Sequence, residues 1–322
     1  MRYFVTGATG FVGGALTHEL LKQGHDVVAL VRSPKKASSI QAAGAKIAQG
    51  DITDRESMRI PMSGVDGVFH VAGWYKVGVR DKTPGEKTNV AGTRNVLELM
   101  RELGIRKGVY TSTLGVFSDS GGEMRDETFR YDGPHLSEYE RTKWAAHFQV
   151  AEPMMNEGLP LVIVLPGAIY GPEDTSAMGE AFRQYLQGKF PAVPKGLTFC
   201  WAHVGDVVRG HILAMEKGKP GESYIIAGPP HAMEEVFEMA ERITGIPSPP
   251  LRLSPPILKI LSGIMGTVEK VVPGPEEYSG VRLRVTAGST YLGSSEKAKR
   301  ELGYSVRPLE EGLRETLLYE MT

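Results

Sequence analysis

Cysteine is almost missing from this chain. Cys200 is the single one in 322 residues, so an intramolecular disulfide framework is excluded and a cytoplasmic setting is expected. An excess of charge is missing too: the formal net charge is −1, and nothing in it suggests a nucleic-acid partner. No spacing of Cys and His matches a metal site, and none is assigned. Long apolar runs are also lacking. The most apolar stretch, Pro255 to Val272, is interrupted by Lys259, Glu269 and Lys270, so no membrane span is expected. The N-terminus reads as a strand at once, with no basic-then-apolar leader. What remains, 41% hydrophobic and 23% charged, is ordinary globular material with enough chain for one or two cores.

What is present begins at the N-terminus. The apolar run Met1 to Val5 is followed by Thr6-Gly7-Ala8-Thr9-Gly10-Phe11-Val12-Gly13-Gly14 and then by an amphipathic segment. Strand, glycine turn and helix in that order form the context in which such a loop holds a dinucleotide. Gly7 would leave the strand through angles closed to other residues. Gly10 would let a pyrophosphate approach the backbone, and Gly13 would let the helix pack close to the strand. The helix start adds free N–H groups and the positive end of its dipole. The bland alternative is a tight strand-to-helix turn.

The pattern then predicts a helix from Phe11 to Lys22 and strands at Asp26 to Val31, Lys46 to Gly50, Gly67 to Val71 and Gly108 to Ser112. The second strand ends in Arg32-Ser33-Pro34-Lys35-Lys36, where an NAD site commonly carries Asp or Glu. Arg32 suits a 2′-phosphate, which favours NADP over NAD and leaves NAD possible; a solvated basic loop is the alternative. Asp51, next to Ile52, either accepts a hydrogen bond from an adenine amino group or caps the next helix. His70 reads as a core residue. Trp74 and Tyr75 either line an apolar pocket or merely pack. A helix is expected over Glu86 to Leu103, with Asn89 a buried amide or a bridge to the next strand. Tyr139 and Lys143 are four apart, hence on one face of a helix.

Taken together, the glycine loop, Ser112-Thr113 after the fifth strand, and Tyr139/Lys143 resemble the extended branch of the short-chain dehydrogenase/reductase superfamily. Leu165-Pro166-Gly167-Ala168-Ile169-Tyr170-Gly171-Pro172 is similar to that branch's R-P-x-x-x-Y-G-P segment, with Leu165 replacing the arginine. His203-Val204-Gly205-Asp206-Val207 matches its H-V-x-D-V, and Ser295 to Tyr304 its S-x-K-A-x-x-x-L-G-[YW]. The resemblance implies an α/β fold: a Rossmann-type doubly wound parallel sheet over 1–168 and a smaller, mixed α/β substrate domain over 169–322, with segments near 198–227 rejoining the main sheet. It implies that Tyr139 exchanges a proton with a carbonyl or alcohol oxygen, that Thr113 holds that oxygen with Ser112 as runner-up, and that Lys143 supplies a cation that lowers the phenol's pKa. It places the cofactor against Gly7, Thr9, Gly10, Phe11, Val12, Gly13, Arg32, Lys36, Asp51, Ile52, Val71, Ala72, Gly73, Thr111, Ser112, Tyr139, Lys143, Pro166 and Ile169. It also implies a homodimer.

The second half carries helical patterns at Gly179 to Gly188, Glu234 to Thr244 and Pro256 to Val271, and strand-like pieces at Thr198 to Trp201 and Tyr224 to Ala227. The apolar face of the 256–271 helix reads as core or as a dimer contact. Nucleotide-sugar enzymes of the branch hold a diphosphate with arginines and an asparagine; here Thr198 to Ala202, Gly167 and Ala168 stand in those places. With Trp74, Tyr75, Phe190 and Trp201 as candidate substrate contacts, an apolar ketone or aldehyde suits the site better. The features are most similar to the dihydroflavonol-4-reductase-like group. Two readings compete with an NADP(H)-dependent oxidoreductase: a sugar epimerase or dehydratase with retained cofactor, and a dinucleotide sensor.

Overall fold

The structure, a computed structural model, describes residues 1–269 and 279–322. In chain order the strands are β1 (Arg2–Thr6), β2 (Asp26–Val31), β3 (Lys46–Gln49), β4 (Gly67–His70), β5 (Gly108–Thr111), β6 (Leu161–Pro166) and β7 (Ala168–Tyr170). They continue with β8 (Ala192–Pro194), β9 (Thr198–His203), β10 (Ser223–Ile226), β11 (Pro230–Ala232), β12 (Leu251–Leu253) and β13 (Thr290–Tyr291). Seven of them form one parallel sheet in the order β3-β2-β1-β4-β5-β6-β10. Such a sheet is buried on both faces, which is why β1, β4 and β6 are continuous apolar runs rather than alternating ones. Side chains still alternate between layers: Phe4 joins one core cluster and Tyr3 and Val5 the other.

All seven strands run the same way, so Gly7, Arg32, Val71 and Ser112 emerge at one edge. The order reverses between β1 and β4, where an open α/β sheet leaves a crevice for a ligand. The first helix, Phe11–Lys22, turns Leu16 and Leu20 into the core. The expected 86–103 helix begins earlier, at Thr83–Gly85, and passes through a π-helical stretch, Glu86–Gly92, before Thr93–Glu102. The helix carrying Tyr139 does the same: Glu138–Trp144, then π-helical Ala145–Ala151 against the first such stretch, then Glu152–Asn156.

Of the segment near 198–227 expected to rejoin the main sheet, only β10 does so. Thr198–His203 is instead the centre of a separate small sheet, between β11 and β13, with β7 also paired to it. The residues explain the division. Tyr224 and Ile226 fill one layer of the main core, whereas Trp201 packs with Tyr170, Phe182 and Phe237 in a second core. Helices Ala177–Leu186, Met233–Thr244 and Leu309–Glu320 close that second core. The chain then crosses back: Ala298, Leu302 and Tyr304 belong to the first core.

The apolar helix runs Pro255–Val268; Lys270 and Val271, the end of the expected range, lie outside the described residues. It is not core. Leu258 is buried, but Ile257, Ile260 and Ile264 are exposed. No helix among the described residues is long and apolar enough to cross a membrane, and no group among them of three or more His, Cys, Asp or Glu could hold a metal ion.

Candidate active site

The glycine loop leaves β1 at Gly7 with φ +74°, an angle that side chains rarely adopt. A Cβ there would lie 2.7 Å from the Ala72 nitrogen, so the loop is pressed against the end of β4. Gly13 is tighter: a Cβ would sit 2.1 Å from the Gly7 carbonyl oxygen. The turn closes through Gly10 N–H donating to the Gly7 carbonyl at 2.9 Å, and the helix starts at Phe11. Thr9 and Gly10 are exposed at its tip. This cradle, which side chains would fill, fits a dinucleotide pyrophosphate on the helix start.

Behind the loop runs a buried polar chain. Ala72 N–H donates to Thr6 Oγ1 at 3.1 Å, which meets His70 Nδ1 at 2.8 Å; His70 Nε2 meets Thr93 Oγ1 at 3.0 Å. Both ring nitrogens of His70 are thereby satisfied. Burial, helped by the charge of Lys143, pushes its pKa down to about 3, so the ring is neutral and structural.

At the end of β5 the three consecutive hydroxyls part company. Thr111 Oγ1 meets His211 Nε2 at 2.8 Å on one side of the sheet. Ser112 Oγ meets His147 Nδ1 at 2.8 Å and is buried. Thr113 alone turns towards Tyr139, its Oγ1 accepting from Gly115 N–H at 3.0 Å. A Cβ on Gly115 would lie 3.4 Å from Thr113 Oγ1 and 3.5 Å from Tyr139 Cε1, which marks where the two converge. Of the two hydroxyls that sequence left in play for substrate oxygen, Thr113 is therefore the one beside the phenol.

Lys143 lies one turn further along. Its Nζ donates to the Thr111 carbonyl at 2.8 Å and to Tyr110 Oη at 3.1 Å. The surroundings of the Tyr139 phenol act on it in both directions. Burial pushes the phenol up, the Thr113 bond pulls it down, and the Glu140 charge pushes it up again. Burial also pushes the Lys143 ammonium down, to about 7. A lysine lowered in this way holds its proton less well folded than unfolded. It costs stability below the folded pKa, and the cost is relieved as pH climbs towards the ordinary lysine value near ~10.4. Lys143→Met should therefore gain in melting temperature over the wild type most at about pH 7 and below, with the gain shrinking towards about pH 10. A difference in Tm that does not vary with pH would show Nζ to be solvated.

The remaining predicted residues are placed as follows. Val71, Ala72 and Gly73 follow β4 at the same edge, and Arg32 and Lys36 are exposed beyond β2. Asp51 closes a turn on Thr53, accepting from its N–H and hydroxyl, both at 2.9 Å; Asp54 caps the next helix instead. Ile52 is buried against Gly92. Phe11 and Val12 open the first helix, and Pro166 ends β6 with Ile169 just beyond, in β7. Trp74 is pinned by Asn89, whose Oδ1 accepts from Trp74 N–H at 2.7 Å and whose Nδ2 reaches the Trp74 carbonyl and Thr142 Oγ1, both at 2.9 Å. Tyr75 is 51% exposed. Trp201 and Phe190 go elsewhere. Trp201 is 2% exposed, with Nε1 donating to the His231 carbonyl at 2.9 Å, and Phe190 stacks on Phe237, so both serve the second core.

Sequence reasoning missed Tyr110, which holds Lys143, His147, which holds Ser112, and Glu140, a buried carboxyl group held by Ser118, Leu136 and Tyr291. His147 is four residues past Lys143, a spacing that could have flagged it.

Comparison with known proteins bears on this geometry. The profile of the NAD dependent epimerase/dehydratase family matches residues 3–227. A Synechocystis relative with a provisional name, dihydroflavonol 4-reductase, is 32% identical, covering 97% of this chain and 92% of its own. The chain belongs to the NAD-dependent epimerase/dehydratase family. Another relative of this family member, from Stigmatella aurantiaca, is named 4-hydroxy-2-methyl-3-oxo-4-farnesyl-3,4-dihydroquinoline-1-oxide ketoreductase; it is 30% identical over 95% of this chain and 92% of its own. The solved structure of gox2253 superposes with a TM-score of 0.86 at 31% identity, covering 99% of this chain and 97% of that one. UDP-glucose 4-epimerases also match, one of them at 29% identity. The protein is thus an NAD(P)-dependent enzyme of the extended short-chain dehydrogenase/reductase type, with a seven-stranded Rossmann-like sheet, and its relatives include both reductases and epimerases.

Proposed function

We propose that this enzyme is an NADP(H)-dependent carbonyl reductase or alcohol dehydrogenase for a small, largely apolar ketone or aldehyde. The observation that carries the reading is the convergence of the Thr113 hydroxyl and the Tyr139 ring beside Gly115, at the open end of β5. The nicotinamide, when bound, supplies or accepts the hydride. Thr113 would orient the carbonyl oxygen, and Tyr139 would hold the proton at Oη and release it to that oxygen. Lys143 would hold the nicotinamide ribose, and the loop from Gly7 to Gly13 would take the phosphates. Trp74 and Tyr75 would line the entrance, in a substrate-binding part formed mainly by residues 169–322.

A nucleotide-sugar substrate is less well served. Leu165, where the branch carries an arginine, is 1% exposed in the core, and Phe199 to Ala202 bring no cation to a diphosphate. The test is a panel of ketones and aldehydes with both reduced cofactors. Stoichiometric loss of the reduced-nicotinamide absorbance supports the reading. Tightly retained cofactor with no net absorbance change would place the protein with the epimerases.

NADP is favoured because Arg32 stands exposed at the end of β2, without a carboxylate in its place. Arg32→Ala should raise KM for NADPH by about tenfold or more while leaving KM for NADH nearly unchanged. Equal effects on both would remove Arg32 from the 2′-phosphate. We also infer a cytoplasmic homodimer paired through the helix that bears Tyr139; light scattering that gives a monomer mass would dismiss it.

A further inference from the structure

Lys143 is 5% exposed, and its side chain ends against β5 rather than in solvent. A lysine ammonium has three hydrogens to donate and accepts none. One goes to the Thr111 carbonyl at 2.8 Å and one to Tyr110 Oη at 3.1 Å. The third has no hydrogen-bond partner among the described residues. With two N–H groups bonded to fixed atoms, rotation about the Cε–Nζ bond stops, and the direction of the third is set.

The two acceptors differ in kind. Thr111 offers a backbone carbonyl, which any residue would supply. Tyr110 offers a side-chain oxygen, and it is fully buried. A phenylalanine would fill the same place, so the hydroxyl is what this tyrosine adds. Burial pushes its pKa up, so Oη stays a neutral phenol. Lys143 Nζ also lies 4.7 Å from the centre of the Tyr110 ring, whose face attracts a cation.

Tyr110 is itself held. Its ring stacks on His70 at 5.4 Å. His70 is bonded at both nitrogens, to Thr6 Oγ1 at 2.8 Å and to Thr93 Oγ1 at 3.0 Å. Thr6 Oγ1 accepts from Ala72 N–H, and the Ala72 nitrogen is the atom that a Cβ on Gly7 would strike. A continuous buried line thus runs from the glycine loop through Thr6, His70 and Tyr110 to the Lys143 ammonium.

We propose that Tyr110 is a positioning residue that anchors the Lys143 ammonium in fixed relation to the glycine loop, with one N–H left over for the ribose beside the nicotinamide. This rests on the cofactor contact proposed for Lys143. Tyr110 acts through Lys143 and needs no contact of its own with the cofactor. An unanchored lysine would lose its rotamer freedom on taking the ribose; one held by Tyr110 has already lost it on folding.

The test compares each whole cofactor with its adenosine diphosphate half, NADPH with 2′-phospho-ADP and NADH with ADP, on the full chain. Tyr110→Phe keeps the ring and removes the oxygen. It is expected to raise the dissociation constant of the tighter-binding cofactor by about tenfold and that of its half by less than about twofold, because the half ends before the ribose that Lys143 would hold. A merely structural role would weaken both. Lys143→Met should show the same selective loss, and adding Tyr110→Phe to it should change binding by less than about twofold further. Equal weakening of cofactor and half overturns the inference. So does a full additional loss in the double variant, or a folded Tyr110→Phe protein that binds the whole cofactor as wild type does. Wild-type affinity in Lys143→Met removes the lysine from the ribose and overturns the underlying cofactor contact along with the inference. No measurement needs a carbonyl substrate, so failure of the reductase reading alone leaves the result legible. Should Tyr110→Phe not fold, nitrogen-15 NMR of labelled lysine in the wild type reads the anchor directly, at about pH 6 to keep residue 143 charged and with that residue assigned by its loss in Lys143→Met. A rigid ammonium supports the inference, and one as mobile as those of exposed lysines overturns it.

Discussion

Tyr139→Phe should lower kcat for carbonyl reduction by about 10²–10⁴-fold, the range that a positioned general acid contributes. The change removes one hydroxyl and keeps the ring. The dissociation constant of NADPH should stay within about twofold, because the glycine loop and Arg32 are untouched. Stability should change by no more than about 1 kcal/mol, since one hydroxyl is lost and the ring still fills its place. The three measurements together separate chemistry from folding and binding: stopped turnover with an intact cofactor titration assigns the proton to residue 139. Retained turnover would mean that another group delivers it. Ser112 is not that group, since its hydroxyl is buried against His147.

How much of this site could be read beforehand depended on whether the signal was local. β1, the glycine turn and the Phe11–Lys22 helix are local: an apolar run, three glycines and a periodic segment lie next to each other in the chain, and the helix has the expected bounds. β2 likewise has the expected bounds, Asp26–Val31. The pairing of Thr113 with Tyr139 spans a loop, and spacing alone left Ser112 as the runner-up. What separates them is the pleat of β5 and the partner each side chain finds, and neither is visible in a line of residues. Trp201 looked like a substrate wall because it stands just before the His203-Val204-Gly205-Asp206-Val207 motif, where nucleotide-sugar enzymes of the branch carry an arginine. Its indole nitrogen bonds to His231, thirty residues away, and that places it in the core. Glu140 was invisible for a related reason. A glutamate on a helix is by default a solvated residue, and only Ser118 and Tyr291, from distant parts of the chain, give it partners that let it be buried.

Gly13→Ala tests the other half of the site. The new Cβ would lie 2.1 Å from the Gly7 carbonyl oxygen and 2.7 Å from its carbon. Those atoms are backbone, and the oxygen is already held by Gly10 N–H at 2.9 Å, so no rotamer change can relieve the overlap. The helix must move away from the loop, and it carries Leu16 and Leu20 out of their places in the core. Such overpacking costs about 1–3 kcal/mol, or roughly 2–10 °C in Tm for a chain of this size. Dinucleotide affinity should fall by about 100-fold, since the phosphates would rest on N–H groups that have shifted with the helix. Gly14→Ala is the control, because it adds the same methyl one residue later. There the nearest atom is the Ala8 oxygen at 3.5 Å, an ordinary contact. Alanine is also the better helix former, so this variant should be as stable as wild type or up to about 1 kcal/mol more so, with cofactor binding kept. If both variants bind NADPH alike, the phosphates do not sit on this turn, and the crevice between β1 and β4 must hold the cofactor by other contacts.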